Sequence, residues 1–189
     1  EALLYPELVA TILKLIYSNG FTSSLVSNCY WVKDNRQYEA ILKMLNQNHL
    51  SKLAISFDGF HEKKLFDSAD LVKILADDRR CFSIVVQPCF LDETSLIKNS
   101  ESLKILCHRY NCDYEPSTIV PFGRAKTIVP ESNDIFSEEA PCDVVRLPLL
   151  KFNGEYSVCC GPATGSPSFS PLIYETYNTD TLEKIKNDL

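Results

Sequence analysis

The chain has 189 residues, of which 45% are hydrophobic and 23% are charged. This is enough for one ordinary domain, or one and a half small ones, with a buried core. The formal net charge is −6 at pH 7 and no stripe of basic residues is present, so nucleic acid is not the expected partner. The longest apolar stretch, residues 8–17, is interrupted by Lys14 and is too short to cross a bilayer. No secretory signal is recognisable, and no membrane partner is expected.

The first third of the chain contains two helical segments and one strand-like segment between them. Residues 6–18 have apolar residues at helical spacing, with Pro6 in the first turn and Gly20 after the end. A short strand is predicted over residues 21–26. Asp34 can cap the next helix. The apolar face of that helix is formed by Tyr38, Ile41, Leu42 and Leu45.

The same alternation continues through the middle of the chain. Strands are predicted over residues 52–57, 81–86 and 118–121, and helices over residues 68–77 and up to Tyr110. Repeated helix–strand units of this size predict an α/β fold with parallel strands and crossover helices, either as a barrel or as a doubly wound sheet. In both, ligands bind beyond the carboxyl ends of the strands. Those ends are expected at Ser27-Asn28, residues 56–58, Gln87 and residues 122–124.

The pattern changes after the last predicted strand. Residues 126–141 are acidic, contain two prolines and have no periodicity, so they are interpreted as a linker. Two strands, over residues 144–150 and 155–158, then flank Asn153-Gly154, a strong hairpin signal. A final short helix is predicted over residues 180–187.

Eight cysteines are present. An even number would allow four disulfides in a secreted protein, whereas free buried thiols and metal ligation are the alternatives. Cys81, at the start of an apolar strand, and Cys107, on an apolar helical face, are predicted core residues.

Three of these cysteines lie at the base of the predicted hairpin. Eleven residues separate Cys142 from Gly154, and four separate Gly154 from Cys159. A hairpin brings its ends together, so Cys142 and Cys159 can meet, and Cys160 offers a third sulfur. Such a pair suits an iron–sulfur or zinc site, with a cross-hairpin disulfide or two unrelated thiols as alternatives.

This cysteine–glycine–cysteine spacing resembles the opening of the auxiliary-cluster module (SPASM or twitch type) of peptide-modifying radical S-adenosylmethionine enzymes. Upstream segments resemble the same family in the same order. They are Glu-Ala-Leu-Leu-Tyr-Pro from Glu1 (family Gly-Gly-Glu-Pro), Leu-Val-Ser-Asn at residues 25–28 (Thr-Asn-Gly), Leu-Ala-Ile-Ser-Phe-Asp-Gly at residues 53–59 (Ile-Ser-Leu-Asp-Gly) and Val-Pro-Phe-Gly-Arg-Ala at residues 120–125 (Pro-x-Gly-Arg-Ala).

The resemblance implies a partial (β/α)6 barrel in residues 1–125 that lacks its first strand, the linker in residues 126–141, and the start of the auxiliary module in residues 142–189. It implies S-adenosylmethionine and [4Fe–4S] clusters as cofactors, a peptide or protein substrate, and a reductant such as a flavodoxin or ferredoxin. The implied activity is hydrogen abstraction by a 5′-deoxyadenosyl radical, in an oxygen-sensitive enzyme that we expect to be cytoplasmic.

The resemblance also assigns site residues. Glu1 matches the glutamate that binds the amino group of the cofactor, and Ser27 and Asn28 lie at a strand end that faces it. Ser56 and Asp58 match positions that approach the ribose. The remaining implied site residues are Arg124, for the cofactor, and Cys142, Cys159 and Cys160, for the auxiliary cluster.

Two departures from the family pattern stand out. The Cys-x-x-x-Cys-x-x-Cys segment that holds the catalytic cluster occurs nowhere in the 189 residues, and Cys29 stands where the family has glycine. We therefore expect a sequence truncated at its N-terminus that does not perform the chemistry alone. The alternatives are a non-catalytic peptide-binding or scaffold domain of the same ancestry, and an unrelated α/β protein with a zinc hairpin.

Overall fold

A computed structural model of the protein describes residues 1–57, 67–90, 93–118, 149–150, 156–157 and 173–174. The chain divides into two units, Glu1–Val120 and Pro121–Leu189. The helices of the first unit are α1 (Pro6–Ser18), α2 (Asn35–Gln47), α3 (Ser68–Ala76) and α4 (Glu93–Arg109), with short 3-10 helices at Ala2–Leu4 and Tyr30–Val32. Its strands are β1 (Ser24–Ser27), β2 (Lys52–Ser56), β3 (Ser83–Gln87), β4 (Cys89–Phe90), β5 (Asp113–Tyr114) and β6 (Ser117–Thr118).

Local sequence signals account for the helix ends. Pro6 occupies the first turn of α1, where a missing N–H costs nothing. The Asp34 carboxylate accepts hydrogen bonds from the N–H groups of Arg36 and Gln37, at 2.8 and 2.9 Å. The predicted helix over residues 6–18 and the predicted cap at Asp34 are therefore confirmed. All four predicted apolar-face residues of α2 are buried.

The end of α4 has a different cap. Asn111 has a φ of 52°, and the N–H of Cys112 donates to the carbonyl of Cys107 at 2.9 Å. This is the Schellman arrangement, in which a left-handed residue lets the chain turn back over the last helical carbonyls. Cys107 is buried, as predicted.

The main sheet has four parallel strands in the order β1-β2-β3-β5. The predicted parallel pairing of residues 52–57 with residues 81–86 is confirmed by β2 and β3. A second, two-stranded parallel sheet joins β4 and β6. The main sheet thus follows the order of the sequence, with no reversal of strand order among the described residues.

The two faces of the main sheet differ. On one face, alternate strand residues belong to the core cluster that also holds the buried residues of α1, α2, α3 and α4; these strand residues are Leu53, Ile55, Ile84 and Val86, with Leu25 packed against them. The opposite face carries Val26 and the buried residues Ala54 and Val85, which lie outside that cluster. The described helices therefore pack on one face of the sheet.

Two strands begin later than the sequence suggests. β1 occupies residues 24–27 rather than 21–26, and Phe21 is 70% exposed. β3 occupies residues 83–87 rather than 81–86. The prediction of Cys81 as a core residue is wrong: its side chain is exposed. Its N–H donates to the side-chain oxygen of Asn46 at 2.9 Å instead of joining the sheet.

The fourth strand of the sheet was predicted over residues 118–121, but β5, at residues 113–114, occupies that place. Thr118 belongs to β6, and residues 119–121 lie outside the described residues. The described cysteines Cys29, Cys81, Cys89, Cys107 and Cys112 are free. The alternative of four disulfides among the eight cysteines is therefore wrong.

The second unit contains an antiparallel sheet of β7 (Leu149–Leu150), β8 (Tyr156–Ser157) and β9 (Ile173–Tyr174). Leu149 pairs with Ser157 and Leu150 with Tyr156, so the predicted hairpin pairing is confirmed. β9 was not predicted. The predicted linker and the helix over residues 180–187 lie outside the described residues. Nowhere in the described part of the chain does a helix combine the length and apolar character needed to cross a bilayer.

Candidate functional site at the carboxyl edge of the sheet

The carboxyl ends of the parallel strands meet along one edge of the main sheet. Ser27 ends β1, Ser56 ends β2 and Gln87 ends β3, and Ser56 and Gln87 are direct partners in the register. Glu115 follows β5 at the same edge, and the Gln87 side-chain amide donates to its carboxylate at 2.9 Å. Polar side chains from four strands are therefore brought to the edge where ligands bind in folds of this type.

The Glu1 carboxylate lies at the end of β1 and is held by three hydrogen bonds. Its Oε1 accepts from the Ser27 hydroxyl at 3.0 Å and from the Leu3 N–H at 3.3 Å. Its Oε2 accepts from the Asn28 N–H at 2.9 Å. The structure thus brings together three of the residues that the resemblance selects, although 26 positions separate Glu1 from Ser27.

The segment that follows Glu1 is anchored by packing. Leu3 is 1% exposed and belongs to the core cluster. The Tyr30 hydroxyl donates to the Leu3 carbonyl at 3.1 Å. The 3-10 helix Ala2–Leu4 is therefore tied to the segment after β1, which keeps Glu1 next to the strand end.

Ser27 is buried and its hydroxyl has three partners. Besides donating to Glu1, its Oγ accepts from the Cys29 N–H at 3.0 Å and from the Trp31 indole N–H at 3.2 Å. The turn that permits this has Cys29 at a φ of 55°, a left-handed conformation that favours glycine. The family that the sequence resembles has glycine at this position, so the departure from its pattern changes the side chain and keeps a backbone turn that glycine also allows.

Cys29 is a fully buried thiol. Burial raises its pKa well above the ordinary value, the Glu1 charge raises it further, and a hydrogen bond with Ser27 opposes both. Burial, followed by the Glu1 charge, also raises the pKa of Tyr30. Both groups are neutral near pH 7 and serve as packing and hydrogen-bonding partners of the Glu1 site.

A shallow cavity of about 500 Å³ covers the face of the sheet opposite the helices. Val26, Ala54 and Val85 form its apolar middle, while Lys52 lies toward the amino ends and Glu115 toward the carboxyl ends. An apolar floor with charged groups at its margins can hold an extended organic ligand and orient its polar ends.

Only some of the site residues that the resemblance implies are described by the structure. Ser56 is half-buried at the end of β2. The others, Asp58, Arg124, Cys142, Cys159 and Cys160, lie outside the described residues. Sequence reasoning missed Trp31, Tyr30 and Glu115 as neighbours of the site. The sequence does carry one signal for Trp31: it is the single tryptophan of the chain, four residues after a strand end.

The side chains of the site can be tested for their fit to the cofactors that the resemblance implies. A carboxylate has about four acceptor positions; Glu1 uses two on Oε1 and one on Oε2, so Oε2 can still accept from an ammonium group. The exposed Glu1 therefore fits the amino group of S-adenosylmethionine. For an iron–sulfur cluster, the described residues offer no group of three or more His, Cys, Asp or Glu side chains placed to hold a metal.

No protein-family model and no curated protein matches this chain. Two observations therefore bear on function, the geometry of the carboxyl edge and the resemblance of its motifs.

Proposed function

We propose that this chain is part of a radical S-adenosylmethionine enzyme that modifies a peptide or protein. The observation that carries the proposal is the Glu1 carboxylate, held at the end of β1 by the Ser27 hydroxyl and the Asn28 N–H. A carboxylate held by neutral donors has a fixed orientation, which recognition of an ammonium group requires.

The strand order gives separate support. A doubly wound sheet reverses its strand order at the ligand site and carries helices on both faces. Here the described parallel strands follow the sequence and the helices pack on one face. These two features support a segment of a (β/α) barrel, whose inner face would be the face with the cavity. The partial (β/α)6 barrel over residues 1–125 is part of this proposal.

Each site residue has a role in the proposal. Glu1 binds the cofactor ammonium, Ser27 and Asn28 hold Glu1, and Ser56 and Asp58 bond the ribose hydroxyls. Arg124 is a further cofactor contact, and the peptide lies over the cavity. A [4Fe–4S] cluster reduced by a flavodoxin or ferredoxin would supply the electron that splits the bond between sulfur and the 5′ carbon of S-adenosylmethionine, giving methionine and the 5′-deoxyadenosyl radical that abstracts hydrogen. An oxygen-labile cluster suits a cytoplasmic enzyme.

The cysteines of the catalytic cluster must then come from a segment outside these 189 residues. The test is anaerobic reconstitution of the intact protein that contains this chain, with cofactor and reductant, and measurement of 5′-deoxyadenosine. We expect product from the intact protein and none from the 189-residue chain. Absence of product from the reconstituted intact protein would contradict the enzymatic proposal.

Cofactor binding by the chain itself tests Glu1 directly. Removing a charge-assisted hydrogen bond costs about 1.5–3 kcal/mol, so Glu1→Gln should weaken S-adenosylmethionine binding by about tenfold or more in equilibrium dialysis. Glu7→Gln is the matched control, because Glu7 is an exposed glutamate in the first turn of α1. Equal weakening by both substitutions would show a general charge effect rather than a site.

For the second unit we propose that Cys142 and Cys159, with Cys160, ligate an auxiliary cluster at the base of the β7–β8 hairpin. Alanine at Cys142 or Cys159 should lower the iron content of the anaerobically reconstituted intact protein. Iron together with sulfide would exclude a zinc hairpin. Unchanged iron in both variants would mean that these cysteines are structural.

A second candidate is a non-catalytic peptide-binding or scaffold domain of the same ancestry. The observation in its favour is the lack of the three-cysteine motif in the sequence. In that case the intact protein would bind a peptide over the cavity and yield no 5′-deoxyadenosine. Peptide binding measured with and without S-adenosylmethionine separates the two, because only the enzyme should bind both.

A further inference from the structure

The hydrogen bonds of the Ser27 hydroxyl determine its direction. A hydroxyl has one proton to donate and two lone pairs that accept. The Trp31 indole N–H and the Cys29 backbone N–H, at 3.2 and 3.0 Å, occupy both lone pairs. Neither group can accept a hydrogen bond, so the Ser27 proton has to point elsewhere. The Cys29 thiol is also within hydrogen-bonding reach of Ser27, but sulfur is a weak acceptor. Glu1 Oε1, at 3.0 Å, is therefore the acceptor that the Ser27 proton meets.

We propose that Trp31 is a positioning residue that acts on Glu1 through Ser27. Its indole N–H commits the Ser27 hydroxyl to donation, which fixes Oε1 of the Glu1 carboxylate. Oε2, with a single hydrogen bond from Asn28, is then the oxygen presented to a cationic ligand. The identity of that ligand, the ammonium group of S-adenosylmethionine, rests on the proposed function, whereas the coupling of Trp31 to Glu1 does not.

The indole itself is held in place. Trp31 is 0% exposed, and its ring stacks on the Tyr38 ring with centroids 5.8 Å apart. The Tyr38 hydroxyl donates to the Asp77 carboxylate at 2.7 Å. The Lys73 ammonium lies 4.5 Å above the Tyr38 ring and also donates to the Val32 carbonyl at 2.7 Å. The indole N–H therefore has little freedom to leave Ser27, since residues of α2 and α3 fix the rings behind it.

The first test needs no ligand. Trp31 is the single tryptophan, so a protein labelled with nitrogen-15 gives one indole N–H resonance. We expect Ser27→Ala to shift that resonance as loss of the hydrogen-bond acceptor of the indole N–H does. Ser27→Thr, which keeps the hydroxyl, should leave it near its wild-type position. Glu1→Gln should shift it less than Ser27→Ala does. Glu7→Gln, which changes an exposed carboxylate in the first turn of α1, should leave it in place. A Glu1→Gln spectrum identical to wild type would overturn the coupling.

The second test adds ligands to the same protein. The affinities of S-adenosylmethionine and of 5′-methylthioadenosine, which lacks the amino acid part, are compared between wild type and Trp31→Phe. Loss of one neutral hydrogen bond predicts about threefold to tenfold weaker binding of S-adenosylmethionine, with the affinity for 5′-methylthioadenosine unchanged. Phenylalanine retains the ring that stacks on Tyr38, and Ser27→Thr serves as the variant that keeps the hydroxyl.

The outcomes separate the two proposals. Equal affinity of wild type and Trp31→Phe for S-adenosylmethionine would overturn the positioning role. Equal weakening of both ligands would assign Trp31 a merely structural role and would also overturn it. If wild type binds neither ligand, the proposed cofactor is wrong, and the coupling of Trp31 to Glu1 is then decided by the indole spectra alone.

Discussion

Removal of the Asp77 charge is the sharpest test of the packing behind the Glu1 site, because Asp77 binds the Tyr38 hydroxyl and the Tyr38 ring stacks on Trp31. Asp77 follows α3, and its side chain is 9% exposed. Oδ2 accepts from the Tyr38 hydroxyl at 2.7 Å and from the Arg79 guanidinium at 2.6 Å. Oδ1 accepts from the backbone N–H and Nε of Arg79, at 3.0 and 2.9 Å. Asp77→Asn keeps the shape of the side chain, removes the charge and leaves one oxygen to accept.

The contacts of Asp77 determine how much stability Asp77→Asn should cost and how that cost should depend on pH. Hydrogen bonds to a charged group contribute about 1.5–3 kcal/mol, so Asp77→Asn should lower the free energy of unfolding by about 2 kcal/mol at pH 7. The hydrogen bonds from Arg79, aided by that from Tyr38, hold the pKa of Asp77 well below its ordinary value. Because the folded state favours the ionised carboxylate, its contribution is complete above the ordinary pKa of about 3.9 and is lost as the pH falls below it. The difference between variant and wild type should therefore shrink on acidification from pH 5 to pH 3.

Trp31 provides the assay, because its fluorescence reports urea unfolding of the unit Glu1–Val120 in which it is buried. The matched control is Glu39→Gln. Glu39 binds the same Arg79 guanidinium at 2.9 and 3.0 Å, but this pair is exposed and should contribute much less. Equal losses for Asp77→Asn and Glu39→Gln at pH 7, or a loss for Asp77→Asn that does not shrink in acid, would refute the reasoning.

Three further predictions concern local features of the same unit. Asp34→Ala should lower the unfolding free energy by about 1 kcal/mol in the same urea assay, because it leaves two N–H groups of α2 without their cap. Asn111→Val should cost about 1–2 kcal/mol, since a β-branched residue resists a φ of 52°, whereas Asn111→Gly should not. Iodoacetamide at pH 8 should modify Cys81, which is exposed, well before Cys29 and Cys107, as followed by mass spectrometry; burial raises the pKa of Cys107 to about 11.

Each of these has an outcome that would contradict it. An unchanged urea midpoint for Asp34→Ala would mean that the cap contributes nothing in the folded context. Equal effects of valine and glycine at Asn111 would show that backbone conformation does not decide the cost. Similar rates of modification for Cys81 and Cys107 would show that the unit opens often enough to expose its core.

The helices could be predicted because their signals are local. The bounds of α1 follow from Pro6 and the apolar spacing, and the start of α2 follows from the Asp34 side chain, all within a few residues of the helix. Strand ends depend on partners far along the chain. β1 begins at Ser24, where it meets Lys52 of β2, and no residue near Phe21 encodes that register. Cys81 was misplaced for the same reason, since an apolar run does not reveal that Asn46 binds its N–H.

In the candidate site, too, features set by local sequence or strand direction could be predicted, and contacts between distant residues could not. Parallel pairing was enough to predict that Ser27, Ser56 and Gln87 would lie at one edge, because the edge follows from strand direction alone. The contact between Glu1 and Ser27 was not predicted, because the resemblance placed each residue near the cofactor and not against the other. Trp31 was missed because a lone tryptophan has no periodic partner in the sequence. Its role depends on one hydrogen bond that exists only after the turn at Cys29 is formed.

The sequential strand order has a consequence for how the unit assembles during synthesis. Each strand of the main sheet pairs with the strand that left the ribosome one helix earlier, so β2 can dock on β1, then β3 on β2, and β5 on β3. None of the strands that the structure describes in this sheet has to wait for a distant part of the chain or insert between two that have already paired. Growth therefore proceeds at one edge, and translation, which delivers residues over seconds, can set the order of folding. A pause in translation after α3 would leave β2 without its partner β3, and an unpaired strand edge is a template for pairing with another chain.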